Sequence, residues 1–310
     1  RDMASESFDP DIVFVKGGDS QTMIGFVGNY PNTQFVDLDQ PVPCVDSGGR
    51  PDRSGACSGG VSALPGNYAV VTYEVEDPAY LAGVVAASAS SNDRLGIISG
   101  MSDCEQCNRI IQGYVQGARS VEPGIAIELA YLADDNEEQA FSDPDSARTF
   151  AQAFIDVYQP DVLLPVAADA SIGMVEAACE SGVSVIGAGI DVSTEHPELE
   201  TCVLASITKD IETAVRDSMF DYTSNSGSRQ VRAMTLEEGG VGLTEEWRRS
   251  TTLPTDTPRL YEEALNGLIT GAVEPCPDDC GAALPQAADA DGPDADGPDA
   301  EADQEPAAEG

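Results

Sequence analysis

An α/β architecture built on parallel sheets is predicted by three observations. Short apolar runs rich in Val, Ile and Leu lack the polar alternation of a half-exposed strand, as expected of strands covered on both faces. From residue 95 onward these runs alternate with helix-like segments of 10 to 16 residues, which implies right-handed βαβ crossovers. The length, 310 residues, is enough for two lobes of ordinary domain size.

The first run, 12–15, follows Pro10 and is closed by Gly17 and Gly18. A short helical segment is expected at 20–29, then a strand at 34–38 ending on Asp37 and Asp39. Residues 41–66 are rich in Gly, Ser and Pro and read as a loop. A strand at 68–73 precedes an Ala-rich helix at about 78–90, opened by Pro78 because proline suits a first helical turn. Strands at 95–99, 125–131, 162–166 and 183–187 then alternate with helices at 105–120, 143–158 and 171–181. A strand at 202–206, a helix at 207–221, a strand at 231–235, a loop at 236–243 and a helix near 257–270 complete the order. Sheets of this kind bind ligands beyond the carboxyl ends of their strands. Those ends carry Gly17, Gly18, Asp37, Ser99, Gly100, 167–169 and 187–191. The expected division is a first lobe of 10–92 with 207–250 and a second of 93–206 with 251–275, joined by a hinge.

Acidic side chains number 55 against 15 basic ones, a formal net charge of −40. Such a surface repels polyanions and excludes a nucleic-acid binder that works by neutralising phosphates. No apolar stretch approaches the roughly 18 to 20 residues of a membrane-spanning helix. The last 22 residues, from Asp289, hold nine carboxylates and no base, and repeat Asp-Ala-Asp-Gly-Pro at 289–293 and 294–298. No apolar side chain there is larger than alanine, too little to offset the entropy of ordering, so 276–310 is expected to be an acidic disordered tail. Lysine occurs only at 16 and 209, against thirteen arginines. Lys209, expected just inside a helix start where the dipole disfavours a cation, therefore reads as a residue with a specific task.

Eight cysteines fall into near neighbours: Cys44 with Cys57, Cys104 with Cys107, Cys179 with Cys202, and Cys276 with Cys280. With a single histidine, His196, there is no repeated zinc-ligand spacing, and structural disulfides outside the cytoplasm are the better reading. Closing the loop from Cys44 to Cys57 is worth about 3 kcal/mol on the chain-entropy model. The CxxC of Cys104 and Cys107 also suits a thiol oxidoreductase, since a helix start lowers a thiol pKa. Against that reading, Asp103 and Glu105 flank the first cysteine and no thioredoxin-like aromatic or proline context follows. His196, between Glu195 and Pro197, reads as a surface residue, and Trp247 beside Arg248 and Arg249 as a packing or cation–π residue. The glycines of 239–242 lack a following Lys-Ser or Lys-Thr and read as a tight hinge-side turn rather than a phosphate loop.

Several stretches occur together in one family's order: Tyr30-Pro31 with Gln34-Phe35-Val36-Asp37, Asp77-Pro-Ala-Tyr-Leu-Ala-Gly83, Leu95-Gly-Ile-Ile-Ser-Gly100, Gly113-Tyr-Val-Gln-Gly-Ala118, Phe141-Ser-Asp-Pro144, Ser171-Ile-Gly-Met-Val-Glu-Ala-Ala178, Ser206-Ile-Thr-Lys209 and Glu238-Gly-Gly-Val-Gly-Leu243. Over about 10–275 the chain resembles the PnrA-like, or basic membrane protein, substrate-binding lipoproteins of ABC importers. The resemblance implies a type I periplasmic-binding-protein fold: two doubly wound parallel-sheet lobes joined by a hinge, with the ligand enclosed between them. It also implies an extracytoplasmic protein, lipid-anchored to the cell membrane through a cysteine upstream of Arg1. On that alignment the family's first strands and first stacking aromatic have no counterpart in Arg1 to Asp9, and the first lobe is expected to have an unpaired inner edge.

The family's site stacks a purine between aromatic rings and holds the ribose hydroxyls with an Asp, a Lys and backbone near a Gly. Carried over by position, the resemblance makes Phe141 the second-lobe stacking ring, Gly173 the ribose-side glycine and Lys209 the ribose-side lysine, with Asp37 near the base. A flat neutral base suits an aromatic face, and vicinal hydroxyls suit a carboxylate beside a charged donor. Two departures stand out. The usual Gly-Val-Asp appears as Gly187-Ala-Gly189 followed by Ile190 and Asp191, so the ribose carboxylate is either displaced to Asp191 or lost, the latter favouring a non-nucleoside ligand, and Ile110 replaces a frequent aromatic.

The expected function is that of an extracytoplasmic solute-binding component of an ABC importer, taking a nucleoside-like ligand and handing it to a permease, with no catalysis and no cofactor. A sensory or regulatory ligand-binding ectodomain of the same fold is the alternative, and a CxxC thiol oxidoreductase a third. No Gly-x-Ser-x-Gly motif or metal triad points to an enzyme.

Overall fold

The computed structural model describes residues 10–17, 19–52, 54–133, 135–224, 230–250, 253–276 and 280–284. The elements are β1 (Ile12–Lys16), α1 (Ser20–Val27), β2 (Gln34–Leu38), β3 (Tyr68–Tyr73), α2 (Glu76–Ala89), β4 (Arg94–Ser99), α3 (Glu105–Val121), β5 (Ala126–Tyr131), α4 (Glu137–Ser142), α5 (Pro144–Tyr158) and β6 (Val162–Val166). They continue through α6 (Ser171–Glu180), β7 (Ser184–Gly189), α7 (Val192–Glu195), β8 (Val203–Lys209), α8 (Ile211–Thr223), β9 (Val231–Met234), β10 (Val241–Leu243) and α9 (Thr257–Ile269). Among the described residues no helix is long and apolar enough to cross a membrane.

Two sheets form. The first lobe's sheet has the order β1-β2-β3-β9 and is parallel throughout. The second lobe's sheet has the order β10-β8-β7-β6-β4-β5, parallel except for β10, which runs antiparallel to β8. The chain leaves β4 for β5 on one side and returns as β6 on the other, so the strand order reverses around β4. A reversal of this kind opens a crevice at the carboxyl ends of the strands.

Helices cover both faces of the second sheet. One apolar cluster holds α2 and α3 on one face and takes in Trp247 and Tyr261; a second holds α5 and α6 on the other. Glycines at the facing positions of α2 and α3 let their backbones approach closely. A Cβ at Gly83, Gly113 or Gly117 would collide with the carbonyl oxygens of Tyr114, Glu76 and Tyr80 respectively. Trp247 is buried against Tyr261, and the Arg248 guanidinium lies 4.5 Å from the Trp247 ring and 5.3 Å from the Tyr261 ring, so the packing and cation–π readings both hold.

Among the described residues the chain passes between lobes three times: after β3, after β8 and between β9 and β10. Backbone bonds tie the crossings together, Glu74 N–H to the Met234 carbonyl at 3.0 Å and Asp210 N–H to the Gly240 carbonyl at 2.9 Å. The turn before β10 uses Gly239 at φ +73°, which is the hinge-side turn the glycine cluster suggests.

The strand pairing revises the expected lobe boundaries. Residues 76–89 pack chiefly on α3, where Gly83, Gly113 and Gly117 let the two backbones meet. Residues 207–209 continue β8, and 241–243 pair with them, so both belong to the second sheet; the helix expected at 207–221 begins only at Ile211. Part of the expected tail is also ordered against α3. Asn108 Nδ2 donates to the Gly281 carbonyl at 3.0 Å, Gln112 Nε2 donates to the Ala282 carbonyl at 2.8 Å, and Leu284 packs on the core. Residues 285–310, with the acidic repeats, lie outside the described residues, as does Gly18. Disulfides join all four cysteine pairs named from the sequence.

Candidate functional site

Between the lobes lies a cavity of about 590 Å³, walled by strand ends from both sheets. The first lobe contributes Lys16, Gly17, Asp39 and Gln40, and the second contributes the start of α3, Phe141, the ends of β6 and β7, and Lys209. Both lysines of the chain therefore face the same space.

The polar centre of the cavity is an ion pair between the lobes. Lys209 Nζ lies 2.7 Å from Asp39 Oδ1 and 3.0 Å from Oδ2, and also donates to Gln106 Oε1 at 2.9 Å. Gln106 Nε2 donates to Asp39 Oδ1 at 2.7 Å, closing a triangle of three side chains. The lysine and aspartate side chains are only 8% and 12% exposed, so the pair sits in a medium where both its cost and its strength are large. Burial pushes the Lys209 ammonium below the usual lysine range, Asp39 opposes that shift, and nearby Lys16 adds to it. The Tyr73 ring of the first lobe lies 5.7 Å from the ammonium.

Asp39 reaches this position through its backbone. Its φ is +67°, a left-handed conformation that Asp tolerates better than most residues but that still carries strain. Ala168, also on the cavity wall, has φ +45°. Left-handed non-glycine residues cluster where surrounding structure holds them for function.

Apolar walls flank the polar centre. Phe141, in α4, is half-buried with its ring seated on Gly100, where a Cβ would strike three ring carbons. Ile110 gives an aliphatic surface on α3, as its replacement of an aromatic implies. Cys104 and Cys107, cross-linked at the start of α3, line the same cavity.

Of the five residues carried over from the resemblance, the structure brings Phe141 and Lys209 to the cavity and places three elsewhere. Asp37 is fully buried inside the first lobe, accepting from Ser20 Oγ at 3.0 Å and Tyr68 Oη at 2.6 Å. Burial raises its pKa above the carboxylate range. Gly173 is a contact between α5 and α6, since a Cβ there would collide with the Pro144 carbonyl oxygen. Asp191 caps α7, accepting from Thr194 N–H at 3.2 Å and Thr194 Oγ1 at 2.7 Å; its neighbours Ile190 and Val192 line the cavity instead. His196 also reaches the cavity wall while remaining partly exposed, 3.4 Å from Glu198.

Sequence reasoning misses Asp39, Gln106 and Lys16. Two residues apart in an extended strand share a face, so Asp37 and Asp39 look equivalent until the left-handed turn at Asp39 separates them. Gln106 is hidden between two cysteines. Lys16 carries a signal, the scarcity of lysine, that applies to it as much as to Lys209.

Comparison with known proteins identifies the family and the fold. The family described as "ABC transporter substrate-binding protein PnrA-like" matches residues 27–264. Basic membrane protein B of Borreliella burgdorferi is 32% identical over 187 residues, which is 58% of this chain and 51% of that protein. The ABC transporter nucleoside-binding protein BmpA of Lactococcus lactis subsp. cremoris is 36% identical over 87 residues, 28% of this chain and 23% of that protein. The chain spans about half the length of the basic membrane proteins it matches. Among solved structures, a solute-binding protein of an ABC transporter system from Aeropyrum pernix K1 superposes with a TM-score of 0.68 at 18% identity, covering 85% of this chain and 76% of that one. The fold is that of the type I periplasmic binding proteins, and the chain belongs to the PnrA-like family of ABC transporter substrate-binding proteins.

Proposed function

We propose that this chain binds a nucleoside-like solute outside the cytoplasm and delivers it, unaltered, to an ABC permease. The observation that carries this reading is the Asp39–Lys209 pair set in the cavity beside Phe141. A buried carboxylate next to an ammonium matches vicinal hydroxyls, which donate to one and accept from the other. An aromatic face and aliphatic walls match a flat, uncharged base. Contacts to both lobes favour the closed arrangement of the hinge, so ligand selects closure. Lipid anchoring at the cell membrane belongs to the same reading and follows from the family.

In this reading Phe141, Asp39 and Lys209 touch ligand, while Asp37, Gly173 and Asp191 support the fold around it. A thermal-shift and calorimetric screen of purine and pyrimidine nucleosides tests it. A purine nucleoside raises the melting temperature of the wild-type chain, and Phe141→Ala and Lys209→Ala each reduce that rise. Unchanged melting across the whole panel excludes the ligand class.

A further inference from the structure

We propose that the Cys104–Cys107 disulfide is a positioning device for the cavity, holding Gln106 where it orients both members of the Asp39–Lys209 pair; the proposal rests on reading the cavity as the ligand site. The cross-link spans three residues, against 13 and 23 for the bridges Cys44–Cys57 and Cys179–Cys202. Loop closure stabilises least when the loop is shortest, so this bridge does little as a global staple. Its place in the fold gives it a local task.

Cys104 is the N-cap of α3, and its sulfur accepts from the Cys107 N–H at 3.2 Å. One residue beyond the bridge, Asn108 Nδ2 donates to the Ser102 carbonyl at 2.9 Å and to the Gly281 carbonyl at 3.0 Å. The first turn of this helix, which would otherwise fray, is thus held covalently and by hydrogen bonds. Gln106 lies inside that turn. Its Oε1 meets the ammonium and its Nε2 meets the carboxylate, and only one orientation of the amide satisfies both. A long, flexible side chain gains most from a backbone that cannot move, because less entropy is left to lose when ligand binds.

The test uses the full chain as wild type, as Cys104→Ser/Cys107→Ser, as Gln106→Leu and as the combination of all three changes. Titration calorimetry with adenosine, guanosine, inosine, cytidine and uridine reads affinity. The serine pair is expected to weaken binding about tenfold, as for one charge-assisted hydrogen bond, with a melting temperature close to wild type. Gln106→Leu weakens binding by a similar factor, and the combined variant is no weaker than Gln106→Leu alone, the mark of residues acting through one another.

A second readout needs no ligand. With two lysines in the chain, protein labelled with ¹³C,¹⁵N-lysine gives two sets of side-chain resonances, assigned by Lys16→Arg. The Lys209 set shifts in the same direction in the serine pair and in Gln106→Leu. Lys209 resonances identical to wild type in the serine pair overturn the proposal, as do fully additive affinity losses. A collapse of the melting temperature also overturns it, by showing the bridge to be a global staple. A wild-type chain that binds no nucleoside, with Lys209 still responding to loss of the bridge, ends the ligand reading alone and leaves the positioning role standing.

Discussion

Lys209, at the end of β8 in the second lobe, donates to both carboxylate oxygens of Asp39, which follows β2 in the first, at 2.7 and 3.0 Å. The pair joins the lobes across the cavity, and each buried charge is compensated by the other. Removing one partner leaves the other buried and uncompensated, which is the costly case for ion pairs. Lys209→Met and Asp39→Ala are each expected to lower stability by about 3 kcal/mol in urea titrations. The double variant is expected to lose less than the sum, because neither charge is then stranded.

A pH dependence of stability is expected beside the hinge. Asp77, in the first turn of α2 just after the β3 crossing, has its pKa pushed up to about 6, first by burial and then by the Glu76 and Glu74 charges. Its folded pKa lies above its unfolded one, so its stabilising contribution is complete below about 3.8 and is lost as pH rises through about 6. Asp77→Asn is therefore expected to raise the melting temperature at pH 8 and to leave it nearly unchanged at pH 4. Equal effects at both values would show that Asp77 does not titrate in this window.

Gly117→Ala tests the contact between α2 and α3. In an exposed helix the change would stabilise by about 1 kcal/mol. Here the added methyl meets the Tyr80 carbonyl oxygen, backbone that cannot step aside, so a net loss of about 1–3 kcal/mol is expected. Chemical denaturation gives the sign directly.

Gly100→Ala tests the seat of Phe141. The new methyl occupies the space of the ring and displaces Phe141 into or out of the cavity. Nucleoside affinity is expected to fall at least as far as in Phe141→Ala, with a smaller loss of stability than in Gly117→Ala, because a side chain yields more easily than a helix backbone.

Much of the fold is legible because buried parallel strands announce themselves as unbroken apolar runs. The runs at 95–99 and 162–166 need no revision beyond one residue at an end. The lobe assignment of α2 is not legible, since an Ala-rich helix shows no preference for one sheet until its partner's glycines are placed opposite. The site is half legible. Phe141 comes from the family resemblance and Lys209 from the scarcity of lysine, whereas Asp37 and Asp39 can be told apart only by a backbone torsion. Gly173 reads as a ligand neighbour because glycine marks close approach, and close approach to Pro144 looks the same in a sequence as close approach to a sugar.

The bonds from Glu74 to Met234 and from Asp210 to Gly240 have a mechanical result. Three connections stitched side by side resist shear and twist, as paired knuckles do on a door, and leave one swing as the easy movement. On the proposed solute-binding reading, such a seam would bring the Asp39 side of the mouth back opposite Lys209 at each closure.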